Sequence, residues 1–321
     1  AVQNVRNKKP STNLKNIDYE LESETIFVAV VHNDTQECIE TVESLFSRAS
    51  CPSRIQVNVY GKNISKYISP QYRDNITSQY DLLSSCRSVP FLIRTLINNT
   101  YNYEKYVCIV HSGCLFYNNW DNRCEQLLSS DSDSIITTAP IETHDRSSCF
   151  LSLSNRKGMT VRKLIGSAIS PSEDVGFSSK LWSSAFTFCT HDVWSKNIKL
   201  HPELDNASLG YFHLVMSGVC HLKNIRICMP SYPLIHGKPI SLKYRDKRQN
   251  KKSNSFAVRV LATKRFQQFA KEIGLRFKHE FMTMTVNGCL GIWDRSNEEE
   301  IIKKYGSVSR MNYHRQLILS K

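Results

Sequence analysis

The strongest apolar run, Ile26-Phe-Val-Ala-Val-Val31, has the length of a strand buried on both faces. After Asn33-Asp-Thr, the residues Cys38, Val42, Leu45 and Phe46 fall at helical spacing. Glu37 and Glu40 lie near the start of that helix, where the positive end of its dipole favours acids. Cys51-Pro52 stops it, and Arg54-Ile-Gln-Val-Asn-Val-Tyr60 alternates as a second strand. Strand, helix and strand in this order form the βαβ signature of a parallel sheet.

Residues 61–86 are polar and carry no clear period. Pro90 to Asn98 reads as a helix on Phe91, Leu92 and Leu96, and Tyr106-Val-Cys-Ile-Val110 as another buried strand. His111-Ser112-Gly113 ends that strand, and in open parallel sheets ligands bind at the carboxyl ends of strands. A helix follows from Trp120-Asp121 to about Leu128, with Asp121 read as a structural helix-start residue. Ser134-Ile-Ile-Thr-Thr138, Ala185-Phe-Thr-Phe-Cys189 and Ile225-Arg-Ile-Cys228 are further strands, with a helix from about Tyr211 between the last two. Residues 141–180, rich in Ser, Gly and Lys, read as a long functional loop or lid. An amphipathic helix is predicted over Phe256 to Ile273 and another over Asn297 to Lys304. The organisation is an extended arm over 1–24, an α/β domain over 25–237, a basic loop over 238–255 and a helical extension over 256–321 packed on the same domain.

Composition changes this picture at three points. A hydrophobic fraction of 40% and a charged fraction of 22% exclude wholesale disorder. No run approaches the roughly 18 apolar residues of a membrane span, and residues 1–20 lack the apolar core of a secretory leader. The chain begins at Ala, however, so a longer N-terminal part is compatible with it. Eleven cysteines without a CxxC pair read as buried free thiols, which favours a reducing, cytoplasmic or intracellular setting. Asn-x-Ser/Thr sequons at Asn33, Asn63, Asn75, Asn98 and Asn206 occur about as often as chance allows and do not argue for secretion. The net charge of +13 is the outlier. It suits an acidic partner: nucleic acid, a ribonucleoprotein, a nucleotide diphosphate or an anionic surface. Lys238, Lys243, Arg245, Lys247, Arg248, Lys251 and Lys252 face one acid, Asp246, in the segment 238–252. A solvated loop is the plain alternative.

Laid in order, several segments resemble one family, the cytoplasmic-type N-acetylglucosaminyltransferases that modify a hydroxyproline on Skp1 in protists. The opening strand with Glu37 and Thr41-Val-Glu-Ser-Leu-Phe46 is similar to the family's first strand and helix. Val89-Pro-Phe-Leu-Ile-Arg94 resembles its Gly-Pro-x-x-Ala-Arg, and Glu104 to Phe116 with Trp120-Asp121 resembles the strand ending in Asp-Ser-His and the Trp-Asp beyond it. Ser184-Ala-Phe-Thr-Phe, His201-Pro-Glu-Leu-Asp with Gly210, and His236 follow in the family's order. Gly288-Cys-Leu-Gly and Arg295-Ser-Asn-Glu-Glu-Glu resemble its terminal segments. The match runs from about residue 25 to 306 and rests on order and spacing more than on any single motif. The resemblance implies a GT-A fold, a mixed and mostly parallel sheet flanked by helices that binds a nucleotide-diphospho-sugar.

It also implies a chemistry. In such transferases a carboxylate at the end of the central strand holds Mn²⁺ or Mg²⁺, which bridges the diphosphate of a UDP-sugar and stabilises the leaving group. Here that triplet is His111-Ser112-Gly113, so the carboxylate is replaced by an imidazole, a softer and uncharged ligand. His111 and His236 are the candidate metal ligands, each with a plain loop histidine as alternative. Where the family has Gly-Glu-Glu, this chain has Gly210-Tyr211-Phe212. Glu203 and Asp205 are the candidate groups to compensate, with capping or surface solvation as the alternative, and Tyr211 is a candidate only as a hydrogen-bonding group. Arg94 is a candidate phosphate fork, with a structural ion pair as alternative. Ser112, Gly113, Lys238, Lys243 and Arg245 complete the candidate nucleotide-sugar site, the basic residues standing in for a metal.

Three functions compete on this basis. The first is a non-catalytic descendant of a glycosyltransferase, acting as a structural or binding component among other subunits of a larger assembly. The second is an active transferase moving N-acetylglucosamine from UDP to a protein hydroxyl. The third, an unrelated basic nucleic-acid-binding α/β protein, keeps only the charge.

Overall fold

The computed structural model describes residues 24–31, 35–61, 63–79, 88–129, 132–138, 140, 149–154, 160–165, 176–198, 200–230, 233–237, 247–272, 275–278 and 281–284. Its elements, in chain order, begin with β1 (Ile26–Val31), α1 (Thr35–Ser47), β2 (Ile55–Tyr60), β3 (Ile76–Gln79) and α2 (Val89–Thr100). Next come β4 (Tyr106–His111), β5 (Cys114–Phe116), α3 (Trp120–Ser129), β6 (Ser134–Thr138), β7 (Cys149–Ser154), β8 (Thr160–Ile165) and β9 (Gly176–Ser179). The second half holds β10 (Phe186–Thr190), α4 (His191–Asn197), α5 (Leu209–Leu222), β11 (Arg226–Pro230) and β12 (Ile235–Gly237). Last are α6 (Lys247–Leu261), α7 (Gln267–Glu272), β13 (Leu275–Lys278) and β14 (Phe281–Met284).

An eight-stranded sheet in the order β3-β2-β1-β4-β10-β6-β11-β9 forms the centre. The first four strands are mutually parallel, from Ile26 beside Ile55 to Val31 beside His111. β10 runs antiparallel between β4 and β6, so β6, and β11 parallel to it, point the same way as β4. β9 closes the edge antiparallel to β11. This is the mixed, mostly parallel sheet expected from the sequence.

All six residues of β1 are fully enclosed, which explains their unbroken apolar run. Phe27, Ala29 and Val31 join one core beneath α2, α4, α5 and α6, whereas Ile26, Val28 and Val30 join a second beneath α1 and α3. The pleat sends alternate side chains to opposite faces, and helices cover both. α2 begins where Ser88 Oγ accepts the Phe91 amide at 3.3 Å and Pro90 fills the first turn.

Two expectations change. The segment 141–180, expected as a loop or lid, carries the β7–β8 hairpin and the edge strand β9. The helix predicted from Phe256 starts at Lys247, so the second half of the expected basic loop is helical, and it ends at Leu261 before a short turn and α7. Ala257, Leu261, Phe266 and Phe269 join the first core, which packs this C-terminal region onto the sheet body. The extended arm, the helix over Asn297–Lys304 and the terminal resemblance segments lie outside the described residues. Among the described residues no helix is long and apolar enough to cross a membrane.

Candidate functional site

The carboxyl ends of β1 and β4 meet where Val31 pairs with His111. His111 is 1% exposed, and its side chain is enclosed beneath the entrance to β10. Its Nε2 lies 3.0 Å from Ser184 Oγ, which lies 2.8 Å from Nε2 of His213 on α5. The Ser184 amide also donates to that His213 nitrogen at 3.1 Å, which makes Nε2 of His213 an acceptor. The protons then assign themselves: His111 Nε2–H donates to Ser184 Oγ, and the Ser184 hydroxyl donates to His213. Burial lowers both imidazoles to a pKa of about 3, with the neighbouring His111 adding a smaller downward push on His213. Both are therefore neutral at physiological pH.

The surroundings are built of short polar residues held by backbone. The Ser217 hydroxyl donates to the His213 carbonyl at 2.6 Å and accepts the Trp182 amide at 2.8 Å. The Trp182 ring stands edge-on to His213 at 5.6 Å. The His111 amide donates to the Ala185 carbonyl at 3.1 Å, tying the end of β4 to the same turn. Nδ1 of His111, Nδ1 of His213 and the Ser112 hydroxyl are buried without a partner among the described residues.

Gly113 turns the chain sharply with φ of 80°, and its amide donates to Thr41 Oγ1 at 2.9 Å. β12 comes back against this turn, placing His236 opposite Leu115 and Gly237 opposite Cys114. A Cβ on Gly237 would lie 2.1 Å from the Gly113 carbonyl oxygen, so only glycine permits this approach. The fold thus brings the late histidine to the same end of the sheet as His111. His236 is half-buried, with its ring 5.1 Å from Tyr117.

Arg94 and Asp205 meet each other. Nε of Arg94 donates to Asp205 Oδ1 at 2.7 Å and its terminal nitrogen to Oδ2, a two-pronged pair that takes up the fork expected for a phosphate. Tyr211 packs half-buried against the first core, and burial raises its hydroxyl pKa. Phe212 is fully enclosed there. Glu203 is exposed on a short turn, Pro202–Leu204, beside α6. Lys238, Lys243 and Arg245 lie outside the described residues. Asp121 has the structural role expected of it. It accepts hydrogen bonds from the Ser50 amide at 2.8 Å, the Ser50 hydroxyl at 2.7 Å, the Cys51 amide at 3.1 Å and Arg54 at 3.1 Å.

His213 was not among the sequence candidates, and Ser184 entered only as part of a strand. For His213 a signal was present: it and Ser217 stand four apart in the largely apolar run of α5, a spacing that puts two polar groups on one buried face.

A hard cation that bridges a diphosphate asks for at least one carboxylate with open solvent-side coordination. The end of β4 offers a neutral imidazole enclosed by protein and an enclosed serine. Among the described residues no group of three His, Cys, Asp or Glu side chains converges to hold a metal. The donors present do not fit Mn²⁺ or Mg²⁺ in that role.

The sheet order, the antiparallel strand inserted between β4 and β6, and the turn at the end of β4 define a glycosyltransferase-type GT-A fold. No protein-family model matches the sequence, and no curated protein does. Among solved structures the chain is similar to GalNAc-T7 crystallised with UDP, GalNAc and Mn²⁺, with a TM-score of 0.58, 9% identity, and 92% of this chain covering 57% of that one. It is also similar to S. aureus TarS, with a TM-score of 0.47, 12% identity, and 90% of this chain covering 44% of that one. The chain therefore spans little more than half the length of GalNAc-T7. The likeness to GalNAc-T7 shows the fold alone, and the resemblance to the hydroxyproline-modifying family rests on the sequence motifs alone.

Proposed function

We propose that this chain is a non-catalytic protein on a glycosyltransferase fold, retained as a binding or structural component of a larger intracellular assembly. The observation that carries the reading is His111. The position that would present a metal-binding carboxylate to a nucleotide-sugar holds a neutral imidazole turned inward and fixed by Ser184 and His213. The closed Arg94–Asp205 pair and the enclosure of Phe212 support it, because they put structural partners where a transferase needs open groups.

The test is calorimetric titration with UDP-N-acetylglucosamine in the presence of Mn²⁺, followed by an assay for released UDP. The expected outcome is no Mn²⁺-dependent heat and no UDP. Binding accompanied by UDP release would establish the alternative, an active transferase acting on a protein hydroxyl, and would overturn this reading.

A further inference from the structure

The basic residues of the C-terminal region are not spread evenly over it. α6 contains Lys247, Arg248, Lys251, Lys252 and Arg259 and no acid. Its inner side is committed to the protein: Ser253, Ala257, Val258 and Leu261 are buried, and Phe256 and Val260 pack against the core. Lys252 and Arg259, seven positions apart and so on one helix face, are exposed. Lys264 and Arg265 continue the exposed charge in the turn that follows. The ion pairs among the described residues involve Arg54, Arg94 and Lys105 and leave this face unneutralised. Cations in the first turns of a helix also oppose its dipole, an unfavourable arrangement that an anion at that end would offset.

A cleft of about 350 Å³ opens beside these charges. It is lined by Pro202, Glu203 and Asn206 from one side and by Lys252, Ser253 and Phe256 of α6 from the other. Its volume lies in the ordinary range for small-ligand clefts, about 300–1,000 Å³. The Phe256 ring is backed by His201, 5.0 Å away and inclined by 25°, so the aromatic wall is held flat and rigid. A flat apolar wall, a cation at the rim and a hydrogen-bonding group inside are what a single nucleobase with its phosphate requires.

We infer that α6 and the 202–206 turn form a docking site for single-stranded nucleic acid. Lys252 and Arg259 hold phosphates and the cleft takes one base. A duplex keeps its bases stacked inside and cannot fill the cleft. A membrane surface would need a large apolar side chain on the outer face of α6, and the exposed large hydrophobic residues among those described are Tyr67 and Tyr103, elsewhere in the chain. Glu203 can only accept hydrogen bonds, so it favours a base with an exocyclic amino group: cytosine offers its N4 amino, whereas the single N3–H of uracil lies between two carbonyl oxygens that repel the carboxylate. The site does not depend on whether the chain transfers sugar.

Fluorescence anisotropy with labelled oligocytidine and oligouridine of about 12 nucleotides tests this. The wild-type chain should prefer oligocytidine, with affinity falling as salt rises. The double variant K252E/R259E changes two exposed side chains. It should fold as the wild type by circular dichroism, lose at least tenfold in affinity, and show a salt slope reduced by about 1.4. Glu203→Gln should keep oligonucleotide binding while removing the preference for cytosine. Unchanged affinity in the folded double variant would overturn the proposal. So would equal binding of the two oligonucleotides by wild type, or equal competition by heparin or by anionic lipid vesicles.

Discussion

His111 and His213 titrate near pH 6.5 when free, and enclosure in the protein brings both to about 3. Folding therefore keeps them neutral, while the unfolded chain takes up two protons as pH falls through 6.5. Above that value both states are neutral and the full stability is present. Between 6.5 and 3 only the unfolded state gains protons, so stability declines with acidity, by about 1.4 kcal/mol per pH unit for each imidazole. Urea unfolding between about pH 6 and pH 5, above the range of ordinary carboxylates, isolates this contribution, and a fall of roughly 2–3 kcal/mol is expected. His213→Leu leaves the Ser184 amide without its acceptor and should cost about 1–3 kcal/mol at neutral pH. It should also remove about half of the acid slope. A variant whose stability follows the wild-type pH curve in parallel would show that His213 is not the buried neutral base described above.

At the scale of elements, the join between the sheet body and the C-terminal region depends on one glycine. A Cβ on Gly218 of α5 would stand 2.5 Å from two ring carbons of Phe266 and 3.2 Å from Phe269. Gly218→Ala gains helix propensity, about 1 kcal/mol, yet forces both rings outward against a packed core. The steric term wins because the clash is with two enclosed aromatic rings rather than with the end of a flexible chain. We expect a net loss of about 1–2 kcal/mol in urea unfolding, and a gain in stability would contradict the packing. The same contrast explains which elements were legible in the sequence. β1, β4 and β10 are enclosed on both faces, so their apolar runs announce them. β3 is an edge strand whose residues stay partly exposed, and β9 is an edge strand written in Gly and Ser, so neither shows a strand pattern. α6 begins earlier than expected because its first turns are a run of Lys, Arg, Gln and Asn without an apolar period, which reads as a basic loop. At the candidate site, the loss of the carboxylate was visible at His111, but its inward direction was not. That direction comes from Ser184 and His213, brought to it from sequence positions far downstream by β10 and α5.

Across the whole molecule, the cysteines report how many cooperative units the fold contains. Among the eight described as free thiols, Cys51 is exposed and the other seven are buried, in line with the sequence reading of enclosed thiols. Cys189 and Cys220 lie in the core beneath α2, α4, α5 and α6, while Cys38, Cys108, Cys114 and Cys124 lie in the core beneath α1 and α3. Burial pushes the thiol of Cys220 up to about 12 and raises those of Cys108, Cys124 and Cys189, so none reacts from the folded state. The two cores share one sheet, and β1, β4 and β6 contribute residues to both. Opening either face therefore exposes the backbone of strands that the other face needs, and the two should unfold together. Maleimide labelling read peptide by peptide in a mass spectrometer tests this directly. Cys51 should label at once in native buffer. The six thiols of the two cores should then label in a single transition as urea rises, at one midpoint shared by both faces. Separate midpoints for the Cys189–Cys220 set and the Cys38–Cys124 set would divide the molecule into two units, with the helical face able to open while the α1–α3 face holds.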